Sequence, residues 1–229
     1  MMNISDNLQA IRHRIAAAAH TCGRDPADIA LLAVSKTRPD ADIIAAVAAG
    51  QHAFGENYVQ EGCDKAQRLA ASGQVLDWHF IGPIQSNKTR QVATFFDWVH
   101  SIDREKIAQR LSEQRDAEKG ELDVCIQVNV SGEASKSGVT PDQVAALADA
   151  VARLPRLKLR GLMAIPEPTD DPALQRRRFA HLRQLLEELN AGGHALDTLS
   201  MGMSQDLEAA IAEGATIVRV GTALFGARG

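Results

Sequence analysis

Ile29-Ala30-Leu31-Leu32-Ala33-Val34-Ser35-Lys36 is a short apolar run that ends in a single lysine. Asp25-Pro26 punctuates the chain just ahead of it and Thr37-Arg38-Pro39-Asp40 just behind it, which favours a strand over a segment of buried helix. With no polar face, the run predicts a strand buried on both sides, as in a parallel sheet. Lys36 then stands at the strand's carboxyl end, where parallel α/β folds place their chemistry. A lysine at an apolar mouth loses its proton more easily and becomes a nucleophile for carbonyl groups. From this segment alone the plainer alternative, a lysine marking the strand's exit into solvent, has the better claim, since buried reactive lysines are exceptional.

Outward from this strand the chain alternates. Residues 3–21 read as a helix, with Ile4, Leu8, Ile11 and Ile15 at helical spacing and Ser5 or Asp6 as its cap. Short apolar runs follow at 52–56, 78–84, 98–102, 124–130, 157–165, 198–202 and 217–221, each trailed by an amphipathic stretch. The longest of these, about 172–190, carries Phe179, Leu182, Leu186 and Leu189 on one face. Eight strand candidates, each followed by a helix, predict a closed parallel (β/α)₈ barrel with an extra N-terminal helix, one domain over residues 1–229. An open doubly wound sheet is the runner-up, but no G-x-G-x-x-G follows the first strand and no phosphate-binding G-x-x-x-x-G-K-[ST] occurs.

Composition narrows the function classes. The chain has 229 residues, 45% hydrophobic and 24% charged, with net charge −4. Arg176-Arg177-Arg178 reads as a solvated helix face and not as a nucleic-acid patch. Three scattered cysteines, Cys22, Cys63 and Cys125, point to reduced thiols and a cytoplasmic protein. No run approaches the roughly 18 apolar residues of a membrane span, and the seven histidines form no metal-ligand pattern.

In a barrel the residues that follow the strands share one face. Ser200-x-Gly202-x-Ser204 and Gly221-Thr222 each lead into a helix. Helix N-termini offer unpaired N–H groups, glycine lets an anion approach, and a hydroxyl adds a donor. Ordinary capping by Ser204 and Thr222 is the alternative, and a phosphate site after the last two strands stands level with it. Arg219, inside the apolar run Ile217-Val218-Arg219-Val220, could point into the mouth and donate to a ring nitrogen or a phosphate. Asn57 could cap its helix or line the pocket, with capping favoured, and His79 reads as a core histidine. Lys136, in a serine-rich loop, is either a solvated lysine or a second amine for an aldehyde. An amine for an aldehyde, a phosphate cradle and an arginine for a ring nitrogen match the needs of pyridoxal phosphate.

These segments make the chain recognisable. Leu32-Ala33-Val34-Ser35-Lys36, Phe54-Gly55-Glu56-Asn57-Tyr58, His79-Phe80-Ile81-Gly82, Gly132 through Gly138, Leu199 through Ser204, and Val218-Arg219-Val220-Gly221-Thr222 occur in order along nearly the whole sequence. In them it closely resembles the pyridoxal phosphate homeostasis protein family, related to the barrel of alanine racemase. The resemblance implies a fold type III TIM barrel and pyridoxal 5'-phosphate held as an aldimine on Lys36. It also implies the phosphate near Ser200, Gly202, Gly221 and Thr222, and Arg219 at the pyridine nitrogen. Further expectations are cofactor carriage without established turnover, apo forms of cofactor-dependent enzymes as recipients, a monomer, and neither nucleic acid nor membrane as partner. The rivals are a racemase-like enzyme and a cofactor-free Schiff-base aldolase. Against the racemase, the related enzymes take a second base from a tyrosine of a separate β-domain. None is expected here, where Tyr58 is the one tyrosine.

Overall fold

The computed structural model describes residues 3–132 and 137–227. Its strands are β1 (Ala30–Val34), β2 (Ala53–Glu56), β3 (Asp77–Phe80), β4 (Trp98–Ile102), β5 (Leu122–Gln127), β6 (Leu157–Met163), β7 (Thr198–Ser200) and β8 (Ile217–Val220). All pair in parallel, each with its neighbour in sequence, and β8 returns to β1 to close the barrel. Leu32 lies opposite Arg219 across that seam. The helices are α1 (Ile4–Thr21), α2 (Asp40–Ala48), α3 (Val59–Ala71), α4 (Thr89–Phe95), α5 (Glu105–Gln114), α6 (Val144–Ala152), α7 (Pro172–Ala191), α8 (Leu207–Ala212) and the single turn α9 (Thr222–Phe225).

Local chemistry sets the element ends. The cap of α1 is Asn3, whose Oδ1 accepts from Ser5 N at 3.0 Å. The start therefore falls before the Ser5 or Asp6 expected from sequence, because an asparagine reaches the second helical N–H equally well. Asp171 caps α7 through Ala173 N at 2.9 Å, with Pro172 opening the helix. The third strand stops at Phe80, short of the expected Ile84. Gly82 turns under the preceding loop so tightly that a Cβ there would lie 2.2 Å from the Asn57 carbonyl. The register of β3 cannot survive that approach.

Most of the core lies between the barrel and its helices. On α1, Leu8, Ile11, Ile15, Ala18 and Ala19 face inward, and the helix packs against α8 and α9. Asn7 Nδ2 donates to the Leu224 carbonyl at 2.9 Å, and Arg14 donates to the Ser204 carbonyl at 3.1 Å. Inside the barrel an apolar cluster of Leu32, Ile81 and Ile217 meets Val34, Ala53 and Trp98. The remaining interior includes polar side chains. His79, His100, Ser200 and Arg219 come from β3, β4, β7 and β8 and bond to one another, a set that can meet only across the lumen.

Gly161 in β6 faces Thr198 in β7, and a Cβ on it would lie 1.8 Å from the Thr198 carbonyl oxygen. Gly161→Ala is expected to force these two strands apart and to destabilise the fold by about 3 kcal/mol or more, measured by urea unfolding.

Candidate functional site

At the carboxyl ends of the strands a cavity of about 480 Å³ opens over β1 and β8, among the turns that follow β2, β3, β6 and β7. Lys36, Asn57, Asp206, Arg219, Gly221 and Thr222 are among the residues that line it. Strand alternation produces this convergence. Ser35 faces the helices, so its neighbour Lys36 faces the mouth, and Arg219 projects inward from the adjacent strand.

Arg219 is buried, 3% exposed. Its Nη1 donates to the Ser200 carbonyl at 2.6 Å and to Ser200 Oγ at 2.7 Å, and its Nη2 donates to the Ala164 carbonyl at 2.8 Å. Three of its five N–H groups are thereby committed, and the others remain for the cavity that the residue lines. Burial lowers its pKa to about 10, with Asp206 acting in the opposite sense, so the guanidinium stays charged at neutral pH. Asp206 is itself held by Met203 N, 2.6 Å from its Oδ1, while burial raises its pKa.

Ser200 and Gly202 do not line the cavity. Ser200 is fully buried beneath it and fixes Arg219 from behind. Gly202 has φ +95, and a Cβ there would meet the Ala210 Cβ at 2.6 Å. Only glycine turns the chain this way under α8, and the turn hands the lining to Met203, Ser204 and Gln205. Gly221 keeps β8 close to β1, since a Cβ there would stand 3.2 Å from the Val34 carbonyl oxygen. The capping alternative for Ser204 and Thr222 is not what forms. The cap positions of α8 and α9 are Asp206 and Gly221, without a side-chain cap bond. Asn57 likewise does not cap α3, whose cap position is Tyr58. It lines the cavity, and its buried Oδ1 has no hydrogen-bond partner among the described residues. Position after a strand was the signal for it. Lys136 lies outside the described residues.

Beneath Arg219 runs a chain of polar groups that the sequence did not single out as a unit. Ser200 Oγ lies 2.7 Å from His100 Nδ1, and His100 Nε2 lies 2.9 Å from His79 Nδ1. His79 stacks on Trp98 with centroids 5.3 Å apart. Burial takes the His79 pKa down to about 3 and holds His100 well below its usual range, the latter helped by repulsion from His79 and Arg219. Both imidazoles are neutral, which fixes the direction of the chain. Arg219 only donates, so Ser200 Oγ accepts from it and passes its own proton toward His100 Nδ1. His100 then donates through Nε2 to His79. The sequence signal was the alternation Trp98-x-His100, which puts both rings on one face of β4.

Among the described residues no cluster of three or more metal-binding side chains occurs, and no helix is long and apolar enough to cross a membrane. The family described as alanine racemase, N-terminal domain, matches residues 7–229. The pyridoxal phosphate homeostasis protein of Pseudomonas aeruginosa is 63% identical over 228 residues, 100% of this chain and 97% of that protein. Its counterpart in Escherichia coli is 55% identical over 234 residues, 100% of this chain and 98% of that one. The structure of PipY from Synechococcus elongatus with PLP bound superposes with a TM-score of 0.84 at 36% identity, covering 97% of this chain and 100% of that one.

The neutral histidines carry a pH signature. Their pKa values are lowered in the fold from an ordinary 6.5, so the unfolded chain binds more protons than the folded one below that value. Stability is present above pH 6.5 and is lost on acidification toward the folded pKa, by up to about 1.4 kcal/mol per pH unit for each imidazole. His79→Gln is expected to flatten the dependence of unfolding free energy on pH between about 6 and 4.5 by one such increment, read from urea titrations across that range.

Proposed function

The chain belongs to the alanine racemase N-terminal domain family, and we propose that it binds pyridoxal 5'-phosphate in the cavity at the strand ends and acts in the carriage of that cofactor. The observation that carries this reading is the shared cavity of Lys36 and Arg219, an amine and a buried, fixed guanidinium from adjacent strands. Bound there, the cofactor supplies an aldehyde that condenses reversibly with an amine, with loss of water.

The residues fit that group. Lys36 offers the amine. Arg219 would offer its remaining N–H donors to the ring nitrogen, and because a guanidinium donates and cannot accept, that nitrogen would be held unprotonated. Ser204, Gln205, Gly221 and Thr222, which line the cavity, would hold the phosphate through backbone N–H groups and the two hydroxyls. Gly202 shapes the turn that carries Ser204 and Gln205, and Ser200 holds Arg219, so both act from behind the lining. Asn57 Oδ1, buried with no hydrogen-bond partner among the described residues, would accept from a donor of the ligand.

Carriage, and not turnover, is supported by the names of the curated relatives and by the position of the one tyrosine. Tyr58 is 55% exposed and is not among the cavity-lining residues, so it does not supply a second base opposite Lys36. The whole chain, residues 1–229, works as one cofactor-binding unit, a cytoplasmic monomer whose recipients are apo forms of pyridoxal phosphate enzymes.

Two measurements bear on this. Lys36→Ala should abolish the visible absorption of the covalent adduct while the far-ultraviolet circular dichroism is retained. Borohydride fixation of the wild type followed by peptide mapping should mark Lys36, and labelling of other lysines alone would refute the assignment. Thr222→Ala should weaken pyridoxal phosphate by about 1.5–3 kcal/mol, the range for a hydrogen bond to a charged acceptor, and leave pyridoxal, which lacks the phosphate, unchanged in a binding titration.

A further inference from the structure

On the helix side of β1 and β2, immediately behind Lys36, lies a second charged cluster that the cavity does not use. Lys65 on α3 is 2% exposed. Its Nζ donates to the Ser35 carbonyl at 2.7 Å, to Glu56 Oε1 at 2.9 Å and to Glu61 Oε1 at 2.6 Å. All three ammonium protons are therefore placed. Ser35 Oγ donates to Glu56 Oε1 at 2.6 Å, and Ser35 N donates to the Gly55 carbonyl at 3.0 Å. On the far side of Lys36, Thr37 N donates to Glu61 Oε1 at 2.6 Å. Thr37 has φ +64, a conformation that a β-branched residue rarely adopts without outside support.

We propose that Glu61 and Lys65, with Glu56, form a clamp that grips the backbone on both sides of Lys36 and thereby sets where its amine enters the cavity. Two features separate this from ordinary stabilisation. Burying the Glu56 carboxylate against the Lys65 ammonium, with Glu61 half-buried beside them, is a poor source of stability, and apolar side chains of similar volume would usually serve the fold as well. The rest of the buried face of α3 is small or apolar, with Gly62, Cys63, Ala66 and Leu69. The cluster is also incompletely satisfied, since Glu56 Oε2 is buried with no hydrogen-bond partner. What the charged trio supplies and an apolar trio cannot is a pair of directed bonds to residues 35 and 37. Glu61 and Lys65 are thus positioning residues. The identity of the aldehyde that Lys36 meets rests on the function proposed above, but the grip itself does not.

The test uses the full chain, first without cofactor. Glu61→Ala should speed hydrogen exchange at the Thr37 amide, and should slow adduct formation with added pyridoxal phosphate, each on the order of tenfold, as loss of orientation at a reacting group does. Glu61→Gln, which keeps an acceptor for Thr37 N, should recover most of both. Asp40→Asn is the control, because it removes the charge from the exposed Asp40–Arg68 pair that ties α2 to α3 and should leave both readings unchanged. If Glu61→Ala does not fold, Glu61→Asp shortens the reach to Thr37 N and should give the same two losses. Wild-type exchange and wild-type adduct rate in the Glu61 variants, or losses no larger than those of Asp40→Asn, overturn the clamp. If the wild type forms no adduct at Lys36, the cofactor reading fails, and the exchange at Thr37 decides the clamp alone.

Discussion

A guanidinium confined to the interior of a barrel must be matched by acceptors, because a desolvated charge without them would cost several kcal/mol. Arg219 meets that condition through the carbonyls of Ala164 and Ser200 and the Ser200 hydroxyl. Much else follows from this requirement. The ends of β6 and β7 have to lie close enough for both carbonyls to reach one side chain, which Gly161 permits by letting β6 approach Thr198. The Ser200 hydroxyl, once it accepts from Arg219, needs an acceptor for its own proton. A neutral His100 supplies one, and His79 receives what His100 donates. The polar lumen is thus a single donor-to-acceptor sequence that begins at a permanent cation.

The cavity is organised by two charged assemblies on opposite sides of the β1 wall. Arg219 and its supports stand within the lumen, while Lys65 and its carboxylates stand between the strands and α3. Lys36 emerges between them. Its own side chain faces the mouth, and its neighbours on either side are tied to the outer assembly. On the proposed clamp, such a lysine owes its placement to the backbone, and its amine is aimed by residues that a ligand does not touch.

How much of this was readable in advance depended on the range of the interactions. The barrel was legible because eight repeats of strand and helix leave few alternatives for a parallel sheet. Lys36, Arg219, Gly221 and Thr222 were legible as neighbours because each sits at or beside a strand's carboxyl end. Ser200 and Gly202 share that position in the sequence, yet neither lines the cavity, Ser200 lying beneath it in the lumen and Gly202 turning the chain under α8. Their orientation turns on the left-handed backbone at Gly202 and on a cross-barrel bond from Arg219, neither of which has a local signature. His100 lies on the same strand face as Trp98, but its partner is a residue 100 positions away. Glu61 and Lys65 carry an i,i+4 spacing that ordinarily marks a solvent-exposed helix pair. Only the docking of α3 against Ser35 and Glu56 carries Lys65 into the interior, with Glu61 at its edge. Of the two roles open to Asn57, lining the cavity prevailed over the favoured capping, since the chain needed one more residue of turn before α3 began.

The seam between β1 and β8 has a consequence for how the molecule comes into being. Lys36 follows the first strand and Arg219 belongs to the last, and the two strands pair directly. The same closure is reinforced by Asn7 on α1, which donates to Leu224 across 217 residues of sequence. Contacts of such long separation form late, because their loop entropy has to be met before they contribute. During synthesis the lysine emerges from the ribosome long before the arginine that completes its surroundings. An early segment therefore has the amine but not the pocket, and the proposed site is complete only when the two ends of the barrel meet. A ligand held at this seam would act as a latch on the finished topology, favouring the closed chain over every partly assembled form that lacks the site.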